Sequence, residues 1–278
     1  MNYDKETVEG FGQEWQAFDQ SSVDEHELHA LFGRYFDLFP WRVLPENPVG
    51  FDMGCGSGRW ARFVAPRVDT LHCVDASQRA LDVARRNLRE MNNCVFHRAS
   101  VDDTPLPDGS MDFGYSLGVL HHVPDTAAAL TACVRKLKPG APFLVYLYYS
   151  FDNRPGWYRR VWRVTDITRR MISRLPFPVR YAVSQIIAAL VYYPLARLSL
   201  LLDRMGLNVR HIPLSTYRRL SFYSMRTDAL DRFGTRLERR FSRADIRQMM
   251  LVAGLDNIAF SESAPYWCAL GYRRDSRQ

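Results

Sequence analysis

The sequence predicts an α/β chain: a doubly wound, mostly parallel seven-stranded sheet with an N-terminal helical segment and a large helical insertion between strand five and the last helix. Three observations predict it. Short apolar runs of strand length alternate with helical stretches from Val49 to Tyr149. A further helix and two strand-like runs follow between Ser242 and Tyr272. Between these regions lies a stretch of different composition, helical and strongly basic. Strands alternating with helices at this spacing imply right-handed βαβ crossovers and a parallel sheet covered on both faces.

Residues 1–48 read as an amphipathic helical lid. Ser22 is placed as an N-cap, Leu28, Leu31, Phe32, Tyr35, Phe36 and Phe39 recur at helical spacing, and Pro40 ends the helix. Upstream, Phe11, Trp15 and Phe18 form an apolar stripe that either closes over a ligand or packs as ordinary core. Strand runs follow at Val49–Met53, Leu71–Val74, Cys94–His97, Met111–Ser116 and Phe143–Tyr148, with helices near 58–66, 78–91 and 125–137. In the insertion, Tyr158–Leu175, Val179–Met205 and Thr227–Phe233 read as helices, with breaks at Pro176, Pro178, Gly206 and Pro213. Ser242 caps a helix to about Ala253, Gly254 stops it, and strands follow near Asn257–Ser261 and Tyr266–Tyr272. The domain reading is therefore a core of 49–150 and 241–278, a lid of 1–48 and a basic insertion of 151–240.

Charge supports that division. Residues 151–240 hold 18 Arg, no Lys and 6 acids, whereas the whole chain carries a net charge of only +7. The five cysteines (Cys55, Cys73, Cys94, Cys133 and Cys268) are scattered and form no Cys-x-x-Cys pair, so neither a metal site nor a disulfide framework is expected. The N-terminus, Met1-Asn2-Tyr3-Asp4-Lys5-Glu6, lacks the apolar run of a secretory leader. A cytoplasmic setting is expected. The longest uncharged stretch, Tyr181 to Ala196, has 16 residues and contains Pro194, too short and broken to span a bilayer.

The chemistry concentrates where the first strand ends, in Asp52-Met53-Gly54-Cys55-Gly56-Ser57-Gly58-Arg59. Glycines at such a turn let the backbone approach a ligand closely. A dinucleotide site wants Gly-x-Gly-x-x-Gly, which seats a pyrophosphate on a helix N-terminus. Here the third glycine comes one residue early, at Gly58, with Arg59 behind it. That spacing suits a ligand without a pyrophosphate. The second strand ends in Asp75, 17 residues after Gly58, where a carboxylate can accept from ribose hydroxyls or simply cap the next helix. Ser100-Val101-Asp102, then Ser116-Leu117 and the pair His121-His122, follow the third and fourth strands, and Leu137-Lys138-Pro139-Gly140 precedes the fifth.

In order and spacing this set resembles the class I, Rossmann-like S-adenosylmethionine methyltransferases, in the branch that modifies small molecules. The resemblance covers residues 49–149 and the ending at 242–273. It implies S-adenosylmethionine as cofactor, with S-adenosylhomocysteine as its product. It further implies that Gly54, Gly56 and Gly58, with Cys55 between them and Asp52 beneath, meet the methionyl part, that Asp75 and the adjoining Ala76 meet the ribose, and that Val101 meets the adenine. Where the family commonly has an Asp beside the adenine, this chain has Ser100, and Asp102 is the nearest substitute. Ser116 and Leu117 match positions bordering the sulfonium. The turn before strand five commonly has two glycines, and here Ala141 follows Gly140.

Methyl transfer needs mainly alignment and, for some acceptors, a base. His121 and His122 sit where a base could act, or they shape the pocket. In similar enzymes the segment after strand five covers the substrate. Three readings of the arginines and aromatics in 151–240 compete. They could form a pocket for an anionic or lipid-linked small molecule, a peripheral membrane contact through 158–205, or a nucleic-acid surface. Nucleic acid is the least favoured, because no Asn/Asp-Pro-Pro-Tyr motif and no Pro-Cys nucleophile occur. The apolar run 181–196 is open between core and a homodimer face. The expected activity is methyl transfer to O, N or C of a small metabolite of anionic, lipophilic or sugar-containing character; the alternatives are an RNA methyltransferase and an inactive cofactor-binding regulator.

Overall fold

The computed structural model describes residues 2–275. They form helices α1 (Lys5–Ala17), α2 (Glu25–Tyr35), α3 (Ala61–Val64), α4 (Gln78–Asn87), α5 (Thr126–Lys136), α6 (Gly156–Ile172), α7 (Phe177–Ile187), α8 (Tyr193–Arg204), α9 (Phe222–Gly234) and α10 (Arg243–Val252). The strands are β1 (Val49–Met53), β2 (Thr70–Asp75), β3 (Cys94–Arg98), β4 (Phe113–Leu117), β5 (Pro142–Tyr146), β6 (Leu255–Phe260) and β7 (Cys268–Arg273). All seven strand runs read from the sequence fall on these strands. Two compact units result, one of residues 1–20, 28–150 and 237–278, the other of 21–27 and 151–236.

In the first unit the strands lie in the order β3-β2-β1-β4-β5-β7-β6. β1 to β5 are mutually parallel, and β7 runs antiparallel to both β5 and β6. Strand alternation sends side chains to two separate cores. Phe51, Met53, Phe143, Val145 and Ala269 pack with α5 and α10 residues such as Leu130, Ile246 and Met250. Phe113, Tyr115, Leu117, Leu144 and Leu270 pack with Phe32, Leu81, Ala84 and Leu88 on the opposite face. Both faces are covered, as a parallel sheet requires. The order reverses between β1 and β4, so a crevice opens at the carboxyl ends of those two strands.

The second unit is helical. Ile172 of α6, Ala188 and Tyr192 of the α7–α8 run, Ala196 of α8, and Met225, Ala229 and Phe233 of α9 form its core. Glu27 joins this unit by accepting hydrogen bonds from Ser221 N (2.7 Å), Ser221 Oγ (3.1 Å) and Ser224 Oγ, where α9 begins.

Three local expectations are corrected. Asp24, not Ser22, supplies the capping oxygen of α2, accepting from Glu27 N at 3.1 Å. That helix ends at Tyr35 rather than running to Pro40. The run judged too short and broken to span a bilayer belongs to one continuous helix of 28 residues, Phe177–Arg204, which by length and composition suffices to cross a membrane. Pro194 does not stop it because the turn before it, Ala188–Tyr192, widens to a π-helix. The wider turn accommodates a residue that offers no N–H and crowds the preceding carbonyl.

Candidate active site

β1 ends at Met53, and the chain turns through Gly54, Gly56 and Gly58, whose φ angles are +82°, +54° and +76°. Side chains other than glycine adopt such dihedrals only at a cost. Space is equally limiting: a Cβ would lie 2.4 Å from Val119 at Gly54, 2.9 Å from the Trp15 ring at Gly56 and 2.8 Å from Leu88 at Gly58. The close approach foreseen for a ligand is thus also an approach by the protein's own side chains. Helix α3 after the loop is a single turn, and no side chain caps it. One turn aligns few peptide dipoles and makes a poor seat for a pyrophosphate.

Asp75 closes the far side of the loop. Its carboxylate accepts from Gly56 N at 2.9 Å and from Ser77 N at 2.8 Å. Ser77, not Asp75, is the N-cap of α4 and accepts from Ala80 N. Burial raises the Asp75 carboxyl above its usual range, opposed by the two backbone bonds. Each oxygen keeps a further lone pair, so these bonds do not exhaust its capacity to accept. Ala76, between them, is half-buried.

Asp52 lies opposite Tyr115 in the β1–β4 register and is 1% exposed. Its Oδ2 has no hydrogen-bond partner. Burial pushes its carboxyl up to about 8, against the pull of the Tyr115 hydroxyl. Ser57 Oγ is likewise buried and unbonded. An unsatisfied buried polar group costs free energy unless a ligand or water meets it. Cys55 is no nucleophile: a bond with Cys73 lowers its thiol, burial overrides that, and the result is pushed up to about 11.

Further along, Ser100 Oγ donates to Asp102 Oδ1 at 2.7 Å and Asn2 N donates to Oδ2 at 2.9 Å. Both Asp102 oxygens therefore already have protein partners. Val101 is buried in the first core. Ser116 Oγ donates to Met53 O at 2.8 Å and ties β4 to β1, and Leu117 beside it is buried.

The two histidines differ sharply. His121 is fully buried, and neither of its ring nitrogens has a hydrogen-bond partner. Its ring stacks on Tyr148 at 3.9 Å and meets His122 at 4.0 Å. Burial, with His122 and Arg240 nearby, drives its imidazole well below the usual range, so it stays neutral. His122 Nδ1 lies 2.7 Å from Leu237 O. A carbonyl only accepts, so Nδ1 carries the proton and Nε2 of the neutral ring is the basic nitrogen.

Helix α1 reaches both parts of this site. Trp15 lies against Gly56, with the Arg59 guanidinium 5.5 Å from its ring, and the Phe11 ring meets His122 at 4.9 Å. Phe18 is buried core. Sequence reasoning missed Tyr148, Leu237 and Arg240. Arg240 pairs with Glu238 at 2.8 Å and lies 5.0 Å from the Tyr148 ring. The Tyr-x-Tyr alternation of Tyr146 and Tyr148 was a readable signal; Leu237, 115 residues from His122, was not. No group of three His, Cys, Asp or Glu suited to a metal occurs among the described residues.

Residues 51–145 match a family model described as a methyltransferase domain. The ubiquinone biosynthesis O-methyltransferase of Thiobacillus denitrificans is 33% identical over 131 residues, 46% of this chain and 53% of that protein. The protein of the same name from Aromatoleum aromaticum is 32% identical over 156 residues, 55% of this chain and 65% of that protein. The chain thus spans between half and two thirds of the length of these relatives. Among solved structures, a complex of the Haloferax volcanii Trm112 methyltransferase activator with a methyltransferase contains a chain that is 15% identical, with a TM-score of 0.51, covering 95% of this chain and 98% of that one. That likeness concerns the fold alone.

Proposed function

We propose, on the premise that residues 51–145 belong to the class I, S-adenosylmethionine-dependent methyltransferase family, that this protein transfers a methyl group to an oxygen of a small lipophilic or anionic metabolite. The observation that carries the reading is Asp52, a buried carboxyl with an orphan oxygen beneath a positive-φ glycine loop. That oxygen fits a cationic ligand, and Asp75 fits a ribose diol. When bound, S-adenosylmethionine supplies a methyl on a sulfonium, a strong electrophile whose leaving group is a neutral thioether. The chain's residues do the rest. The glycine loop and Asp75 hold and orient, Asp52 balances positive charge, Trp15 excludes water, and His122 Nε2 accepts the acceptor's proton. His121 positions the ring of His122. An oxygen acceptor is preferred because the relatives carry the name O-methyltransferase.

Titration with S-adenosylhomocysteine and separately with NAD tests the premise; binding of NAD alone would refute it. Transfer of labelled methyl into a cell extract, followed by identification of the product, tests the acceptor. Asp75→Ala is expected to weaken S-adenosylhomocysteine binding by about tenfold or more, because buried hydroxyls lose a charged acceptor. Calorimetric titration measures this, and an unchanged affinity would remove Asp75 from the site.

A further inference from the structure

We infer that the second unit docks on the surface of an anionic lipid bilayer, with α6 and the α7–α8 helix lying in the plane of the headgroups. The inference stands apart from the methyl-transfer reading. Burial in these helices is inverted, with charged and small side chains inside and aliphatic ones outside. α6 turns Asp166, Arg169 and Ile172 inward, with Asp166 bridging Arg169 at 2.7 Å and Arg170 at 2.9 Å. Its aliphatic residues point outward: Val164, Ile167 and Met171 are 65%, 64% and 69% exposed. At 100° per residue, Trp157, Val161, Val164, Ile167 and Met171 share an arc of roughly 120°. Arg163 and Arg170 run along one edge of that arc, and Arg160 falls within it, between Ile167 and Met171.

The next helix repeats the inversion. Arg180, Ser184, Ala188, Tyr192, Ala196 and Ser199 are its buried residues. Val179, Ile186, Leu190, Leu198, Leu201 and Met205 face out, Leu190 at 72% exposure. Only 22% of its most apolar stretch is buried. A core helix would bury that stretch. A lone helix crossing the bilayer would meet lipid on every side, yet this one keeps one face on α9, whose 13 residues are too few to cross beside it. Arg180 donates to Gly234 O at 3.1 Å, Arg226 reaches Gln185 and Tyr181 at 2.5 and 3.0 Å, and Tyr192 donates to Asp228 at 3.0 Å. One apolar face outward and one polar face held by protein is the pattern of an interfacial helix.

Charge selects the occupant. With 16 Arg against 8 acids in this unit (residues 21–27 and 151–236), two copies meeting through it repel each other, while acidic headgroups attract it. Arg159, Arg160, Arg163, Arg174 and Arg204 are exposed and make no ion pair among the described residues. Nucleic acid would engage such arginines but leave the aliphatic arc in water. A bilayer satisfies both, with the aliphatic side chains in the acyl boundary and the guanidinium groups among phosphates.

The full chain is tested by flotation with vesicles of phosphatidylcholine alone and of phosphatidylcholine with phosphatidylglycerol. Binding to the anionic vesicles, weakening as salt is raised, is expected. Combined Ile167→Ser, Met171→Ser and Leu190→Ser, all at exposed positions, should lower that binding at least tenfold and leave circular dichroism and S-adenosylhomocysteine affinity unchanged. Combined Arg160→Glu, Arg163→Glu and Arg174→Glu should abolish the preference for anionic lipid. Several outcomes would overturn the proposal: a protein that floats with neither vesicle, a dimer that the serine variants dissociate without any vesicle binding, binding to duplex DNA but not to vesicles, or release from vesicles only by detergent, which means a spanning helix.

Discussion

Replacing Asp52 by Asn is expected to weaken cofactor binding and, above about pH 8, to stabilise the ligand-free fold. Both effects have one source. The Asp52 carboxyl is fully buried, its Oδ2 lacks a partner, and burial pushes it up to about 8 from an ordinary 3.8. Between those two values the folded chain holds a proton that the unfolded chain has released. Stability therefore falls as pH rises through that window, and the whole loss, on the order of a few kcal/mol, is present above the folded-state value. Asn removes the ionisation, so its thermal midpoint should exceed the parent's above about pH 8 and converge on it below about pH 4. Binding has the opposite dependence. A cationic ligand selects the ionised carboxylate, so affinity in the parent should rise about tenfold per pH unit up to about pH 8 and then level off. The Asn variant should bind weakly at every pH with a flat profile. Calorimetric titration with S-adenosylmethionine across this range measures both, and the parent should release a proton on binding. Identical, pH-independent affinities in parent and variant would remove Asp52 from the charge balance of the site.

The loop carrying Asp52 was legible because it is local. Gly54, Gly56 and Gly58 announce their positive φ by residue type, and the flanking apolar runs announce strands, since a β-rich run buried on both faces needs little context to be read. Asp75 was legible by its place at the end of β2, but its bonds to Gly56 N and Ser77 N depend on the fold. Asp102 illustrates the limit. As a substitute for the family's adenine-side Asp it was plausible in sequence, yet Ser100 and Asn2 already occupy its oxygens, and a contact 100 residues away leaves no periodic trace. The second unit misleads in a different way. The helix over Val179–Met205 was legible, but Pro194 inside its apolar run argued against bilayer length, and the π-turn before it shows how the helix runs on through 28 residues. Composition likewise counts the apolar residues of α6 without telling which face they take. Asp166 and Arg169 are inside because they neutralise each other at 2.7 Å, a pairing that lets a charged face be the buried one.

The histidine pair offers the sharpest division of roles, and substituting each separately should expose it. His122→Asn places an amide N–H where Nδ1–H now donates to Leu237 O, so the local bond is kept and only the basic Nε2 is lost. Turnover should fall by about 10²–10⁴-fold, the usual contribution of a positioned base, with S-adenosylhomocysteine affinity unchanged. The acidic limb that a protonatable base gives to the kcat–pH profile should vanish with it. His121→Phe removes two buried nitrogens that have no partner and keeps an aromatic ring for Tyr148 at the same stack. Turnover should persist. Stability supplies a second readout: burial holds the folded His121 imidazole well below 6.5, so the unfolded chain binds the proton first and the parent loses stability as pH falls below that value. His121→Phe should abolish this part of the acid sensitivity and leave stability near neutral pH at or above that of the parent. If His122→Asn turns over within about threefold of the parent, the acceptor's proton leaves by another route and His122 only shapes the pocket. If His121→Phe instead loses turnover as deeply as His122→Asn, the burial that keeps His121 neutral in the free protein does not persist when substrate is bound.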